Sequence, residues 1–292
     1  MSAGGTRTFD IRTSDGHLIR ADLYPPTEGH IKGVVVMCHG FKGHRKWGFF
    51  PELASRLSRS GLAAIPFDFS HNGWIVENTE KSKDLPSHPI GDVFRKNTVT
   101  REFEDLTSMV QYISENRLNA TFPDDLPIGV YGHSRGGFVA ILYALERKGV
   151  DAICTWAAIA NPNHFTERQK QRWRQEGHHA FVDSKTGYSL AIDTRYLDDL
   201  EANAERYRLT GRIHRLRVPH LLVHGSMDLA VPADSSKALL HAERELENKR
   251  LLILKTGHTF GMANTFFKPS SAFEVASEAT VRWFEDHLEL GA

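Results

Sequence analysis

The sequence predicts an α/β fold in which a mostly parallel sheet carries helices on both faces. Short β-branched runs alternate with longer amphipathic segments along most of the 292 residues. The runs at 33–38, 63–67, 128–131, 152–158, 220–223 and 250–254 are almost wholly apolar, as strands buried on both faces are. The length also suffices for a large core in one or two domains, at roughly 150 residues per domain.

Taken in order, segments 6–13 and 18–24 flank the turn Ser14-Asp15-Gly16 and read as an antiparallel hairpin at a sheet edge, ended by Pro25-Pro26. Helical stripes follow at Phe50, Leu53 and Leu57, and at Phe103, Leu106, Val110 and Ile113. Leu239, Ala242 and Leu246 form another, as do Val281, Phe284 and Leu288, and all four stripes read as core faces. Residues 70–98, with Gly73, Trp74, Pro86, Pro89 and Gly91, read as an ordered loop at one end of the sheet.

Residues 161–212 are too many for a simple crossover. Rich in charge and in aromatics (Trp173, Tyr188, Tyr196, Tyr207), they read as an inserted cap on a core of residues 1–160 and 213–292.

Composition narrows the function. Thirty-six basic and 36 acidic side chains leave no net charge, so the chain lacks the positive field that would draw nucleic acid or an anionic membrane. No apolar run approaches the 18 or so residues of a spanning helix, and residues 1–7 lack an apolar leader core. The expectation is a soluble, unexported, cytoplasmic protein, with a homodimer as an open option. Sixteen histidines show no metal-ligand spacing, and the two cysteines, Cys38 and Cys154, sit inside apolar runs as small core residues. Neither a metal nor another cofactor is expected.

The chemistry centres on Gly132-His133-Ser134-Arg135-Gly136, a G-x-S-x-G motif entered by a strand-like 127–131 and left through a helix-forming 138–146. A serine on such a tight turn is exposed by a strained backbone, and Gly132, Gly136 and Gly137 remove the side chains that would keep strand and helix apart. Its hydroxyl needs a base, and the base needs an orienting acid. Asp228 stands just past the run 221–223, and His258 just past 250–254. Asp234, the competing acid, falls at a helix start. The order Ser134, Asp228, His258 is one of the known triad orders. Oxyanion donors are expected from the backbone N–H of Arg135 and, after the run 33–38, of Phe41 in the turn His39-Gly40-Phe41.

These motifs resemble those of serine hydrolases of the α/β-hydrolase superfamily, from about Thr6 to Leu288. The His-Gly-Phe turn and the insertion are most similar to the cinnamoyl or feruloyl esterase branch and its dienelactone-hydrolase-like relatives. The resemblance implies an eight-stranded sheet whose first strands are antiparallel, and it places the strand entering Ser134 between those of Cys38 and Cys154, too far apart to bond. His39, Gly40, His133 and Trp173 are the expected substrate-binding residues. The basic stretch Arg168, Lys170, Arg172 and Arg174 reads as a solvated helix face, with tolerance of an anionic substrate as the sharper option.

The function expected is hydrolysis of a small-molecule carboxylic ester through an acyl-enzyme on Ser134. A peptidase of the prolyl-oligopeptidase or aminopeptidase type is the enzymatic alternative, and a non-catalytic binding protein on the same scaffold is the alternative from another class. Dehalogenase and epoxide hydrolase chemistry would require a carboxylate where Ser134 stands, whereas acyl transfer stays open.

Overall fold

The computed structural model describes residues 5–27, 30–75, 88–89, 91–118, 122–123, 125–182, 189–243, 248–263 and 268–288. Part of the 70–98 stretch, Tyr188 and Leu246 therefore lie outside the described residues.

The hairpin forms as β1 (Arg7–Arg12) and β2 (Leu18–Leu23), antiparallel, with Gly16 at a positive φ in its turn. Chain order then gives β3 (Gly33–Cys38), helix α1 (Phe50–Arg59) and β4 (Leu62–Asp68). A two-residue ladder pairs β5 (Trp74–Ile75) with β6 (His88–Pro89), before α2 (Gly91–Arg95) and α3 (Val99–Ser114). Next come β7 (Ile128–His133), α4 (Arg135–Glu146) and β8 (Ala152–Trp156).

The main sheet resumes at β11 (His220–Gly225), α8 (Asp234–Glu243), β12 (Lys249–Leu254) and α9 (Ser271–His287). Its eight strands lie in the order β1-β2-β4-β3-β7-β8-β11-β12, with β1 and β2 antiparallel and the rest parallel. Cys38 on β3 and Cys154 on β8 are thus separated by β7, and both are free and buried.

Alternation along each strand builds two cores. Val34, Val36 and Cys38 of β3 join one apolar cluster with α3 and α4, while Val35 and Met37 join the other with α1 and α9. That is the two-residue period of a strand covered on both faces, and it is why these runs carry no polar positions.

Between β8 and β11 the chain forms α5 (Glu167–Glu176), the antiparallel pair β9 (His178–Val182) and β10 (Ser189–Asp193), α6 (Arg195–Ala202) and α7 (Leu209–Arg212). Its buried residues Trp173, Ile192, Tyr196, Leu200 and Tyr207 belong to the cluster that covers the α3–α4 face. Polar clasps fix it there: Asp199 accepts from the N–H groups of Val99 (3.0 Å) and Thr100 (3.2 Å) at the start of α3, and Glu146 takes Arg206 and Arg212, each at 2.8 Å.

Candidate active site

The turn from β7 into α4 places Ser134 at φ 56° and ψ −116°, a conformation that costs a non-glycine residue about 1–3 kcal/mol. Packing holds it there. A Cβ on Gly136 would lie 2.4 Å from the carbonyl oxygens of both Cys38 and His39, and one on Gly132 would lie 2.4 Å from that of Gly136. Strand, helix and the loop after β3 therefore close to backbone contact around the serine. Its own N–H donates to Trp156 O at 2.8 Å, and the next residue of that strand end, Ala157, donates to Val223 O on β11, also at 2.8 Å.

Asp228 follows β11, and His258 follows β12. The His258 Nδ1 lies 2.7 Å from Asp228 Oδ2. The other carboxylate oxygen, Oδ1, accepts from the N–H groups of Ala230 (2.9 Å) and Val231 (2.8 Å). Behind them His224 Nε2 stands 3.4 Å from Asp228 Oδ2. That nitrogen also meets the Val231 carbonyl at 2.8 Å, so it carries the proton, and Nδ1 accepts from Ser236 Oγ at 2.7 Å. Burial works to raise the Asp228 pKa, but the bonds from His224, His258 and the Val231 N–H outweigh it and hold the carboxyl well below the usual carboxylate range. Asp234 instead begins α8 and pairs with Lys237 at the surface.

Ser134, His258, Phe41 and Arg135 line one cavity of about 570 Å³. Its walls are mainly apolar, from Phe41, Ile159, Phe165, Phe181, Ile192, Tyr196 and Val231, and among the described residues no Asp or Glu lines it. Arg135 is the first residue of α4, where N–H groups have no intrahelical acceptor. The loop carrying Phe41 is closed by Gly43 N–H donating to Gly40 O at 2.9 Å. It is pinned by Arg45, fully buried between Asp22 and Asp68, whose Oδ1 also accepts the Arg45 N–H at 2.6 Å.

Of the expected substrate-binding residues, His39, Gly40, His133 and Trp173 do not line this cavity. His39 braces its turn: its ring meets Gly40 O at 2.8 Å and accepts the Phe69 N–H at 3.2 Å. Gly40 is kept small by Ser134 Cβ, 3.1 Å from where its own Cβ would stand. His133 lies buried beneath His258, with ring centroids 4.7 Å apart and Nε2 donating to the His258 carbonyl at 3.0 Å. Burial pushes its pKa down to about 3, so it is a neutral brace.

Trp173 is the one buried residue of an otherwise charged α5, which forces it inward. It stacks parallel to Tyr196 at 5.8 Å and meets Phe165 edge-on at 5.2 Å, so it backs the cavity wall without forming it. The basic stretch on that helix is exposed apart from Lys170, and three of its four side chains are paired: Lys170 with Glu167 (2.8 Å), Arg172 with Glu176 (2.7 Å), and Arg174 with Asp198 and Glu201 (2.9 and 2.8 Å).

Sequence reasoning missed the ion pair between Arg135 and Glu102 of α3, and the wall residues Phe165 and Phe181. A charge in the first turn of α3 gives no hint of a partner 33 residues away. Among the described residues, no group of three or more His, Cys, Asp or Glu is placed to hold a metal, and no helix is long and apolar enough to cross a membrane.

A strained serine on the central strand of this sheet, with a carboxylate–imidazole pair on the strands beyond it, defines the chain as a member of the α/β-hydrolase superfamily. It belongs to the hydrolase family described as serine aminopeptidase S33 (Hydrolase_4), whose model matches residues 29–209. It is 26% identical over 165 residues to an S-formylglutathione hydrolase of Rattus norvegicus, which covers 51% of this chain and 57% of that protein. The chain thus spans a little over half that relative's length. The fold is similar to Est1E of Butyrivibrio proteoclasticus with ferulic acid bound (TM-score 0.66, 19% identity, 96% of this chain and 98% of that one). It is also similar to dienelactone hydrolase of Anabaena variabilis (TM-score 0.60, 17% identity, 98% of this chain and 100% of that one).

Proposed function

We propose that the chain is a carboxylic ester hydrolase that works through an acyl-enzyme on Ser134. The carrying observation is the Asp228–His258 pair at 2.7 Å, with its imidazole opening on the same apolar cavity as the strained Ser134. In this reading His258 Nε2 takes the proton of Ser134 as its Oγ attacks the ester carbonyl, and gives it to the departing alcohol; Asp228 holds the imidazolium. The N–H groups of Phe41 and Arg135 receive the oxyanion, each worth about 10²–10³ in rate. Water then repeats the cycle and frees the acid.

An aromatic or extended apolar acyl group suits the walls of Phe41, Phe165, Phe181 and Tyr196. This supports the feruloyl-esterase-like reading. The aminopeptidase alternative needs a carboxylate to hold a substrate ammonium, and among the described residues the lining supplies Lys42, Arg135 and His164 without one. The ester reading is therefore preferred.

The test is Ser134→Ala against wild type with a fluorophosphonate probe, p-nitrophenyl esters, methyl ferulate and aminoacyl p-nitroanilides. Wild type should label and cleave the esters, and the variant should do neither while folding normally. Stoichiometric labelling of the variant would place the nucleophile elsewhere, and cleavage of the anilides in preference to the esters would restore the peptidase reading.

A further inference from the structure

The N–H of Arg135 has a place in the reaction just proposed, but its side chain has none, and its position is unusual. The residue is only 6% exposed, yet it brings a guanidinium to a mainly apolar cavity. The guanidinium lies over the Phe41 ring, 4.1 Å from its centroid, and Nη1 stands 3.5 Å from the Tyr196 hydroxyl. Phe41 and Tyr196 both line the cavity, so the group between them faces it. His164, also in the lining, is held below its ordinary pKa by burial and further by the Arg135 charge.

Glu102 answers the charge from behind: its Oε1 meets Nη2 of Arg135 and accepts from Asn97 Nδ2 at 2.9 Å. The pair leaves Arg135 Nε buried without a hydrogen-bond partner among the described residues. Nη1, whose one contact is the long one to the Tyr196 hydroxyl at 3.5 Å, is the guanidinium nitrogen with donor capacity left beside the cavity wall. Because Glu102 already pairs with the guanidinium, a carboxylate set against Arg135 would meet an ion pair rather than a free cation, whereas a neutral oxygen is desolvated at much lower cost.

We propose that Arg135 is a specificity residue whose guanidinium donates a hydrogen bond to an uncharged oxygen, a ketone or ether in class, on the acyl group of the bound ester. The inference rests on the ester-hydrolase reading.

The test compares p-nitrophenyl oxoalkanoates, with the ketone at carbon four, five or six, against plain alkanoates of equal length and against the corresponding dicarboxylic monoesters. Wild type is set beside Arg135→Met and the double variant Glu102→Gln/Arg135→Met, which removes both charges together so that no lone charge stays buried. Wild type should prefer one oxo ester over its plain partner in kcat/KM by about tenfold, and both variants should lose that ratio. Unchanged ratios in variants that still hydrolyse esters would overturn the role of Arg135 alone. A wild-type preference for the monoester carboxylates would overturn the neutral acceptor. No hydrolysis of any ester by wild type would overturn the ester reading and this proposal with it.

Discussion

Replacing Asp228 by Asn changes one atom, and the structure dictates how the amide must sit. The Oδ1 position accepts two backbone N–H groups, from Ala230 and Val231, so the amide oxygen has to occupy it. The NH₂ group then takes the Oδ2 position, 2.7 Å from His258 Nδ1 and 3.4 Å from the protonated His224 Nε2. Nδ1 of His258 must become an acceptor, which moves the ring proton to Nε2, the nitrogen that should receive the proton of Ser134. In a chymotrypsin-type triad the same tautomer error costs about 10⁴ in kcat, or ~5.4 kcal/mol of barrier. Asp228→Asn should therefore lose on the order of 10⁴ in kcat toward p-nitrophenyl acetate while its KM changes little. Asp234→Asn, which loses only a surface partner of Lys237, should stay within about twofold of wild type. The measurement is steady-state kinetics on both variants, with circular dichroism to establish folding. A folded Asp228→Asn enzyme within tenfold of wild type, or a greater loss in Asp234→Asn, would refute the assignment of the acid.

Two further outcomes follow from packing and burial. Gly136→Ala would set a Cβ against two carbonyl oxygens that cannot yield, so it should lower stability by at least 1–3 kcal/mol and abolish turnover; Gly211→Ala, whose nearest neighbour is at 3.5 Å, should be close to neutral in a urea titration. His44, His71 and His133 are held neutral chiefly by burial, with pKa values lowered from 6.5 to about 3, 4 and 3. The unfolded chain binds protons at these sites below pH 6.5 and the native one does not, so stability falls as pH drops from 6.5 toward 3, by about 2 kcal/mol per site at pH 5. Urea midpoints at pH 7 and pH 5 check this, and His133→Gln should weaken the dependence.

The sheet was legible because strands covered on both faces leave unbroken apolar runs, so 33–38 and 128–131 could be placed within two residues at their ends. Ser134, Asp228 and His258 were legible for a different reason: a reacting group at a strand end must sit beside a glycine turn, and Gly132, Gly225 and Gly257 mark those ends. Periodicity says which side of an element is buried, but not what meets it. Aromatic content alone likewise put Trp173 at the cavity, where the fold sets Phe165 and Tyr196 with Trp173 behind them. For the same reason Glu102 carries no signal in the sequence, because its partner is chosen by the packing of α3 on α4.

The two hydrogen bonds at the end of β8 carry a consequence for how such a site can drift. Ser134 and Asp228 follow strands that never touch, and the 156–157 peptide region is the gauge block between them, bonded to Ser134 on one side and to the Val223 strand on the other. The width of that block is set by main-chain hydrogen bonds, and the Trp156 side chain beside them is fully enclosed by Phe49, Phe260 and Phe273. The relative placement of Ser134 and Asp228 is thus inherited from a main-chain joint that lines no part of the cavity.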